Sequence, residues 1–401
     1  MKILYVIQRF GSEIAGGGEF ACRELATRLV AAGHEVEVLT SCARSYVTWA
    51  NSYPEGTSED EGVIVHRLPV ERERTDFLFH PINGRVLGDR PTALHLQKEW
   101  LRLQGPVLKG MADWLAARAS DFDVVGAFTY LYHPTWQALI SSAGRTATVL
   151  HPLAHDEPPL YLGLFDFMFR IPDGLIYMSE EEAHLVSERF QLRKPSAVVG
   201  LGTEMTPGAN PSLFRAEFEL KDPYLLYVGR IDPSKGSQEL IELFKVYKQR
   251  NPGPMKLVLM GEKVRDPGIH PDVIVTGFQP DEVRSSAMAG AVALVHPSFF
   301  ESFSLVLMEA WIAGAPAIVQ GNNPVLAGHI RRSGGGVTFR DFFEFEAAVD
   351  LLASDRSLAT AMGERGRTYV ENTYSWEAVL DRYVSFLELM VPRVRLSLTR
   401  D

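Results

Sequence analysis

Two cysteines in 401 residues, Cys22 and Cys42, are too few for a disulfide framework or a thiolate zinc site. A reducing cytoplasm is the expected compartment. No uncharged apolar run reaches the roughly 18 residues of a membrane-spanning helix, and the greasiest stretch, 305–319, contains Glu309. The opening run, 3–7, is too short for a secretory leader and is closed by Gln8 and Arg9. It is expected to be a buried first strand, with membrane contact at most peripheral, at the inner face. Basic residues are short too: 40 Lys and Arg against 50 Asp and Glu leave a net charge of −10, which supplies no global field for nucleic acid. Any anionic ligand must be held by a few local groups. Short repeats and low-complexity runs are missing as well.

What is there is globular. Apolar residues at 46% and charged residues at 22% match a folding chain rather than a disordered one. At about 100–200 residues per domain the length implies two or three domains. Residues 3–7 form a short apolar run, followed by Gly16-Gly17-Gly18, a segment with helical apolar spacing (Phe20, Leu25, Leu29) and a second strand at 36–39. The same order returns at 224–228, with the loop Gly229 to Gly236, a helix carrying Leu240, Leu243, Phe244 and Tyr247, and a strand at 256–261. Further strands are predicted at 63–68, 124–128, 146–150, 174–178, 197–199, 273–276, 291–295 and 315–319, with helical patterning at 91–120. Strands alternating with helices predict an α/β chain of two Rossmann-like, doubly wound domains. Residues 1–203 and 204–374 are the expected domains, and a final helix at 375–391 has no strand after it. The loop-rich stretch 43–83 is the least legible, and the tail beyond Pro392 is expected to fray.

Chemistry concentrates after strands. Glu309 interrupts a helix apolar all round, 305–312, and a buried carboxylate needs a hydrogen-bonding partner: a pair of sugar hydroxyls or a structural arginine. Before that helix, Ser302, Phe303 and Ser304 offer backbone N–H groups and a helix-end dipole to an anion, with Glu301 at the mouth; alternatively Ser302 only caps the helix. Arg230 and Lys235 stand in a strand-to-helix loop, where two cations could clamp a diphosphate or simply face water. The loop is no Walker motif. Gly16-Gly17-Gly18 reads as a phosphate-approach loop or a plain turn. His151 and His155 lie in the sequence His-Pro-Leu-Ala-His-Asp-Glu-Pro, after a strand, as structural histidines, site histidines or, against the spacing, metal ligands. Asp121 and Asp123 precede their strand and are read as a polar turn, not a metal site. A mild basic excess at Arg85, Arg90, Lys98, Arg102, Lys109 and Arg118 could face an anionic lipid surface or be a solvated helix face.

Gly229-Arg230 to Lys235-Gly236, Glu301-Ser302-Phe303-Ser304-Leu305 to Glu309-Ala310, and Ala313-Gly314-Ala315-Pro316 resemble the donor-site motifs of retaining glycosyltransferase family 4. Gly16-Gly17-Gly18-Glu19, Gly33-His34-Glu35-Val36 and His155-Asp156-Glu157-Pro158 resemble its acceptor domain, so the likeness spans nearly the whole chain. It implies a GT-B architecture with two Rossmann-like domains facing a central cleft and the last helix crossing back to the N-terminal domain. The reaction implied is metal-independent transfer of a sugar, with retention, from a UDP- or GDP-sugar to a carbohydrate, lipid-linked or small-molecule acceptor. No cofactor is implied. On the resemblance, Arg230 and Lys235 take the diphosphate, Glu309 the ribose hydroxyls, Glu301 the donor sugar, and the Phe303 and Ser304 amides sugar or phosphate oxygens. Gly16 and Gly17 close on the phosphates, and the histidine beneath the sugar maps to His155 or His151, with His155 favoured. The family often has glycine where Ser302 and Ser304 stand. A retaining phosphorylase on the same scaffold and a non-catalytic nucleotide-sugar binder are the competing expectations.

Overall fold

Runs of valine, isoleucine, leucine and tyrosine with both faces covered build two parallel sheets. The computed structural model describes residues 1–398 apart from Ala15, Asp89, 205–208, Arg265, Pro267 and Ile269, and side chains as far as Val391. The chain divides into two compact units, Met1–Val199 with Leu380–Asp401, and Gly200–Val379.

The first unit holds an eight-stranded sheet of β1 (Lys2–Val6), β2 (Glu35–Ser41), β3 (Gly56–Asp60), β4 (Val63–Leu68), β5 (Val124–Phe128), β6 (Ala147–His151), β7 (Gly174–Tyr177) and β8 (Ser196–Val198). Its order is β3-β4-β2-β1-β5-β6-β7-β8, parallel except where β3 runs against β4. The second unit holds β9 (Tyr224–Val228), β10 (Lys256–Met260), β11 (Val273–Gly277), β12 (Ala293–His296), β13 (Ala317–Gln320) and β14 (Gly336–Phe339), in the order β11-β10-β9-β12-β13-β14, all parallel. In each unit the strand order reverses beside the first strand: β1 pairs with both β2 and β5, and β9 with both β10 and β12. Open α/β sheets bind ligands beyond the carboxyl ends of the strands at such a reversal.

The stretch 43–83 contains two elements that its composition hid. β3 is an exposed edge hairpin strand of polar residues, and the helix Asp76–Val86 carries Pro81 inside it. The helical pattern at 91–120 is two helices, Leu94–Gln104 and Met111–Arg118, because Gly105 takes a positive φ and Pro106 follows it. β14 was not expected, and β12 and β13 each start two residues later than predicted. The last helix, Trp376–Leu398, outruns its expected end at Val391. Residues 399–401 of the expected frayed tail, and 205–208 of the Gly/Pro-rich crossing, lie outside the described residues. Gly174 on β7 lets this helix approach: a Cβ there would stand 2.9 Å from the Phe386 ring and 3.1 Å from the Met390 sulfur.

Candidate functional site

In the second unit, β9 leads into the loop carrying Arg230 and Lys235, and β12 into the loop carrying Glu301. Gly236 brings the two loops together. Its φ of +74° suits glycine, and a Cβ would lie 2.6 Å from the Pro297 carbonyl oxygen. Asp232 shapes the turn Pro233–Lys235 by accepting from the Ser234 amide at 2.9 Å, and Tyr227 donates to the Arg230 carbonyl at 2.6 Å. Lys235 Nζ is thereby held 2.9 Å from Glu301 Oε1, with His296 Nε2 3.6 Å from the same oxygen. Burial pushes the Glu301 carboxyl up, but His296 and Lys235 outweigh it and hold it below the ordinary range, so it is ionised at neutral pH.

Glu301 closes a loop braced from β13. Asn323 donates to the Ser298 carbonyl at 3.1 Å while its Oδ1 accepts from the Leu326 amide, capping the helix Pro324–Ser333. Asn-Pro at a helix start is a capping signal that the sequence carries at 323–324. Phe303 is buried edge-on against His329 and Tyr374, with ring centroids 5.7 and 4.9 Å apart. The N-cap position of the helix Leu305–Ile312 belongs to Ser304, not Ser302, and Ser304 makes no capping hydrogen bond. Its φ of +76° lies in the left-handed region that suits glycine. Glu309 meets a structural arginine: Arg284 Nη2 stands 3.0 Å from Glu309 Oε1 and 3.2 Å from Asp281. Burial raises the Glu309 carboxyl and Arg284 opposes the rise.

In the first unit, β1 runs on into Gln8 and Arg9. Gln8 Nε2 and Arg9 Nε and Nη2 all donate to Glu19 Oε1, at 3.0, 2.9 and 2.6 Å. Glu19 Oε2 lies against Gly16, where a Cβ would come within 2.2 Å of it. Gly17 has open space around it. A Cβ on Gly18 would meet Leu153 at 2.8 Å and Thr129 Oγ1 at 3.0 Å, so the glycine loop abuts the loops after β5 and β6.

The two histidines part company. His151 is fully buried, stacked on Phe128 at 4.0 Å, and its Nε2 ends a hydroxyl chain in which Tyr5 donates to Tyr383 at 2.7 Å and Tyr383 lies 3.1 Å from the ring nitrogen. Burial pulls its pKa down to about 3, so it is neutral. His155 has a part-exposed side chain, with Nδ1 3.8 Å from Glu157 Oε1, and Tyr130 donates to that same oxygen at 3.0 Å. A residue absent from the sequence reading fixes this loop: buried Glu182 accepts from the Ala154 and Met178 amides, both at 2.7 Å.

Among the described residues no helix is long and apolar enough to cross a membrane. Residues 16–205 match the family described as glycosyl transferase 4-like domain, and residues 211–369 match glycosyl transferases group 1. The chain is 25% identical to the MMP alpha-(1->4)-mannosyltransferase of Mycolicibacterium hassiacum over 98% of this chain and 99% of that protein. It is 27% identical to a D-inositol 3-phosphate glycosyltransferase of Pseudarthrobacter chlorophenolicus over 95% of each. The fold is similar to that of sucrose-phosphate synthase from Thermosynechococcus elongatus, with a TM-score of 0.70 at 19% identity and all of both chains covered. It is similar too to Anabaena Alr3699/HepE in complex with UDP and glucose, with a TM-score of 0.69 at 16% identity over 97% of this chain and 99% of that one. Two family matches that together run through both parallel-sheet units, and whole-length likeness to these enzymes, place the chain among the GT-B glycosyltransferases of the family 4 type.

Proposed function

We propose that the protein transfers a sugar from a nucleotide diphosphate sugar, UDP- or GDP-linked, to an acceptor hydroxyl, with retention at the anomeric carbon and without a metal ion. The observation that carries this reading is the Lys235–Glu301 pair, which joins the loop after β9, also the bearer of Arg230, to the loop after β12 at the strand-order reversal of the second unit. UDP in the Anabaena structure supports the donor class.

Residues 204–374 form the donor domain on this reading, residues 1–203 the acceptor domain, and 375–391 the helix that returns to it. Breaking the bond from the anomeric carbon to the phosphate oxygen leaves the electron pair, and so a growing negative charge, on the diphosphate. Fixed cations stabilise that charge more in the transition state than in the ground state; Arg230 and Lys235 are assigned this work. Lys235 is held by Glu301 before any ligand arrives, so little reorganisation is needed. Glu301 binds donor-sugar hydroxyls, the amides of Phe303 and Ser304, with Ser302 beside them, bind sugar or phosphate oxygens, and Gly16 and Gly17 admit the phosphates. Glu309 binds the ribose through the oxygen that Arg284 leaves to it. The acceptor oxygen bonds to the anomeric carbon from the face the diphosphate leaves, and its proton passes to a leaving phosphate oxygen. His155, part-exposed where His151 is sealed, is the histidine assigned beneath the sugar.

Thermal-shift titration with UDP, GDP, ADP, TDP and their common sugars in EDTA tests the donor assignment, since a ligand of the folded state raises its melting temperature. One nucleotide stabilising the wild type but not Lys235→Ala is expected. A shift that survives the substitution, or that requires a divalent cation, overturns the clamp. Release of the nucleoside diphosphate in the presence of acceptor separates a transferase from a binder, and the anomeric configuration of the product tests retention.

A further inference from the structure

The loop that carries Glu301 is held on both sides of that residue by one helix, Pro324–Ser333. At the helix start Asn323 binds the Ser298 carbonyl, 3.1 Å away. Further along the same helix, fully buried His329 stands edge-on to Phe303 at 5.7 Å. Tyr374 flanks the Phe303 ring at 4.9 Å, and a Cβ on Gly200 would come within 3.2 Å of it. The next side chain adds no hold of its own. Ser304 has φ +76° and ψ +80°, a region that residues other than glycine seldom use, and its buried hydroxyl makes no hydrogen bond. The Phe303–Ser304 peptide must therefore be kept in place by its neighbours.

His329 is the neighbour placed to do so. Burial brings its pKa down to about 3, with Arg332 adding to the fall, so the ring is neutral and carries a single N–H. Nδ1 lies 3.0 Å from the Tyr369 hydroxyl oxygen, and Arg332 Nε and the Tyr374 hydroxyl each lie 3.3 Å from that same oxygen. With those two donating into its lone pairs, the Tyr369 proton is left for Nδ1. Nε2 is sealed from solvent and makes no hydrogen bond of full geometry. The backbone group turned toward the ring is that of Phe303, and it favours the protonated ring, as an acceptor does, so it is the carbonyl. Nδ1 accepting and Nε2 donating is the arrangement that satisfies both contacts.

We infer that His329 is a positioning residue for the donor ligand: oriented by Tyr369, it draws the Phe303 carbonyl toward Nε2 and so turns the Ser304 amide, on the opposite edge of the same trans peptide, toward the sugar or phosphate oxygens. This rests on the donor reading of the second unit and adds to it a buried group that never touches the ligand.

The test separates the two ring nitrogens. In His329→Gln the side-chain amide nitrogen reaches the place of Nε2, whereas in His329→Asn the shorter amide reaches only that of Nδ1. The full chain is titrated calorimetrically with UDP, UDP-glucose, GDP and GDP-mannose. For the ligands that the wild type binds, affinity is expected to stay within about threefold in His329→Gln and to fall about tenfold in His329→Asn, the scale of one hydrogen bond. A fall shared by the nucleoside diphosphates assigns the amide to phosphate oxygens, and a fall confined to the nucleotide sugars assigns it to the sugar; either supports the inference. A role limited to packing against Tyr369 gives the reverse order or equal losses, and these overturn it, as does affinity unchanged in both variants. Should a variant melt early, nitrogen NMR of the wild type labelled at histidine decides. The ring signals that Tyr369→Phe displaces must show a protonated Nε2 and a bare Nδ1 at neutral pH, and the opposite tautomer overturns the inference. A wild type that binds no nucleotide sinks the donor reading and this inference with it; nucleotide binding indifferent to His329 sinks the inference alone.

Discussion

The carboxylate of Glu182 accepts the backbone N–H of Ala154 at 2.7 Å across 28 residues of sequence. With its other oxygen on the Met178 amide, it ties the loop carrying His155 to the end of β7. Burial pushes its pKa up to about 7, against the pull of the Met178 and Ala154 amides. Since the folded state holds this proton more firmly than the unfolded chain does, the group costs stability as pH rises from about 4.5 to 7, on the order of 1.4 kcal/mol per pH unit within that window. Glu182→Gln is expected to abolish that part of the slope. At neutral pH it presents an N–H where an acceptor is needed, lowering stability by about 1–3 kcal/mol. Denaturant midpoints from pH 5 to 8 check both; a variant whose slope matches the wild type refutes the assignment.

His151 acts in the opposite sense. Its folded pKa lies at about 3, below the unfolded value near 6.5. The stability it contributes is present above pH 6.5 and is lost as pH falls toward 3. His329, also brought down to about 3 by burial, and His133, brought down to about 4, add to the same acid loss. His151→Phe should flatten the acid limb of a stability–pH curve by one proton. An unchanged limb would show that His151 protonates without unfolding.

Lys235→Ala and Glu301→Gln are expected to lower turnover by about a hundredfold each, the scale of losing one oxyanion-type donor. The Lys235 side chain is 35% exposed, so its removal should leave the melting temperature within a few degrees. Steady-state rates and melting curves together decide: full activity in a folded variant contradicts the clamp.

Gly16 and Gly17 should behave differently despite being neighbours. In Gly16→Ala the new methyl meets a Glu19 carboxylate that Gln8 and Arg9 pin in place, and overpacking of this kind costs about 1–3 kcal/mol. Gly17→Ala has room, so its stability should hold while donor affinity falls. Melting curves for the pair, followed by nucleotide titration, read the two effects apart.

Much of this was legible. Most strands of both sheets could be placed to within a few residues, because parallel strands buried on both faces need continuous apolar runs, whereas the four-residue β14, begun by a glycine, could not. Polar edge strand β3 and the helix Asp76–Val86 were hidden for the same reason, since neither buries an apolar run and one contains proline. Within the candidate site, residues with strong local motifs, Lys235 and Glu301, could be named from spacing. Arg284, Asn323 and Glu182 could not: each acts through a partner 25 to 28 residues away, namely Glu309, Ser298 and Ala154. The choice between His151 and His155 needed burial, which sequence spacing does not encode.

The last helix begins in the second compact unit at Trp376, yet its residues from Leu380 belong to the first. There Tyr383 completes the buried hydroxyl chain to Tyr5 and His151, and Phe386 and Met390 cover Gly174. The first unit is thus discontinuous in sequence. During synthesis, residues 1–199 leave the ribosome long before the segment that seals them, so this half waits with an uncovered apolar surface until residues 380–390 have followed. The second unit is contiguous and has no such delay, which makes the earlier-made half the later one to reach its final packing.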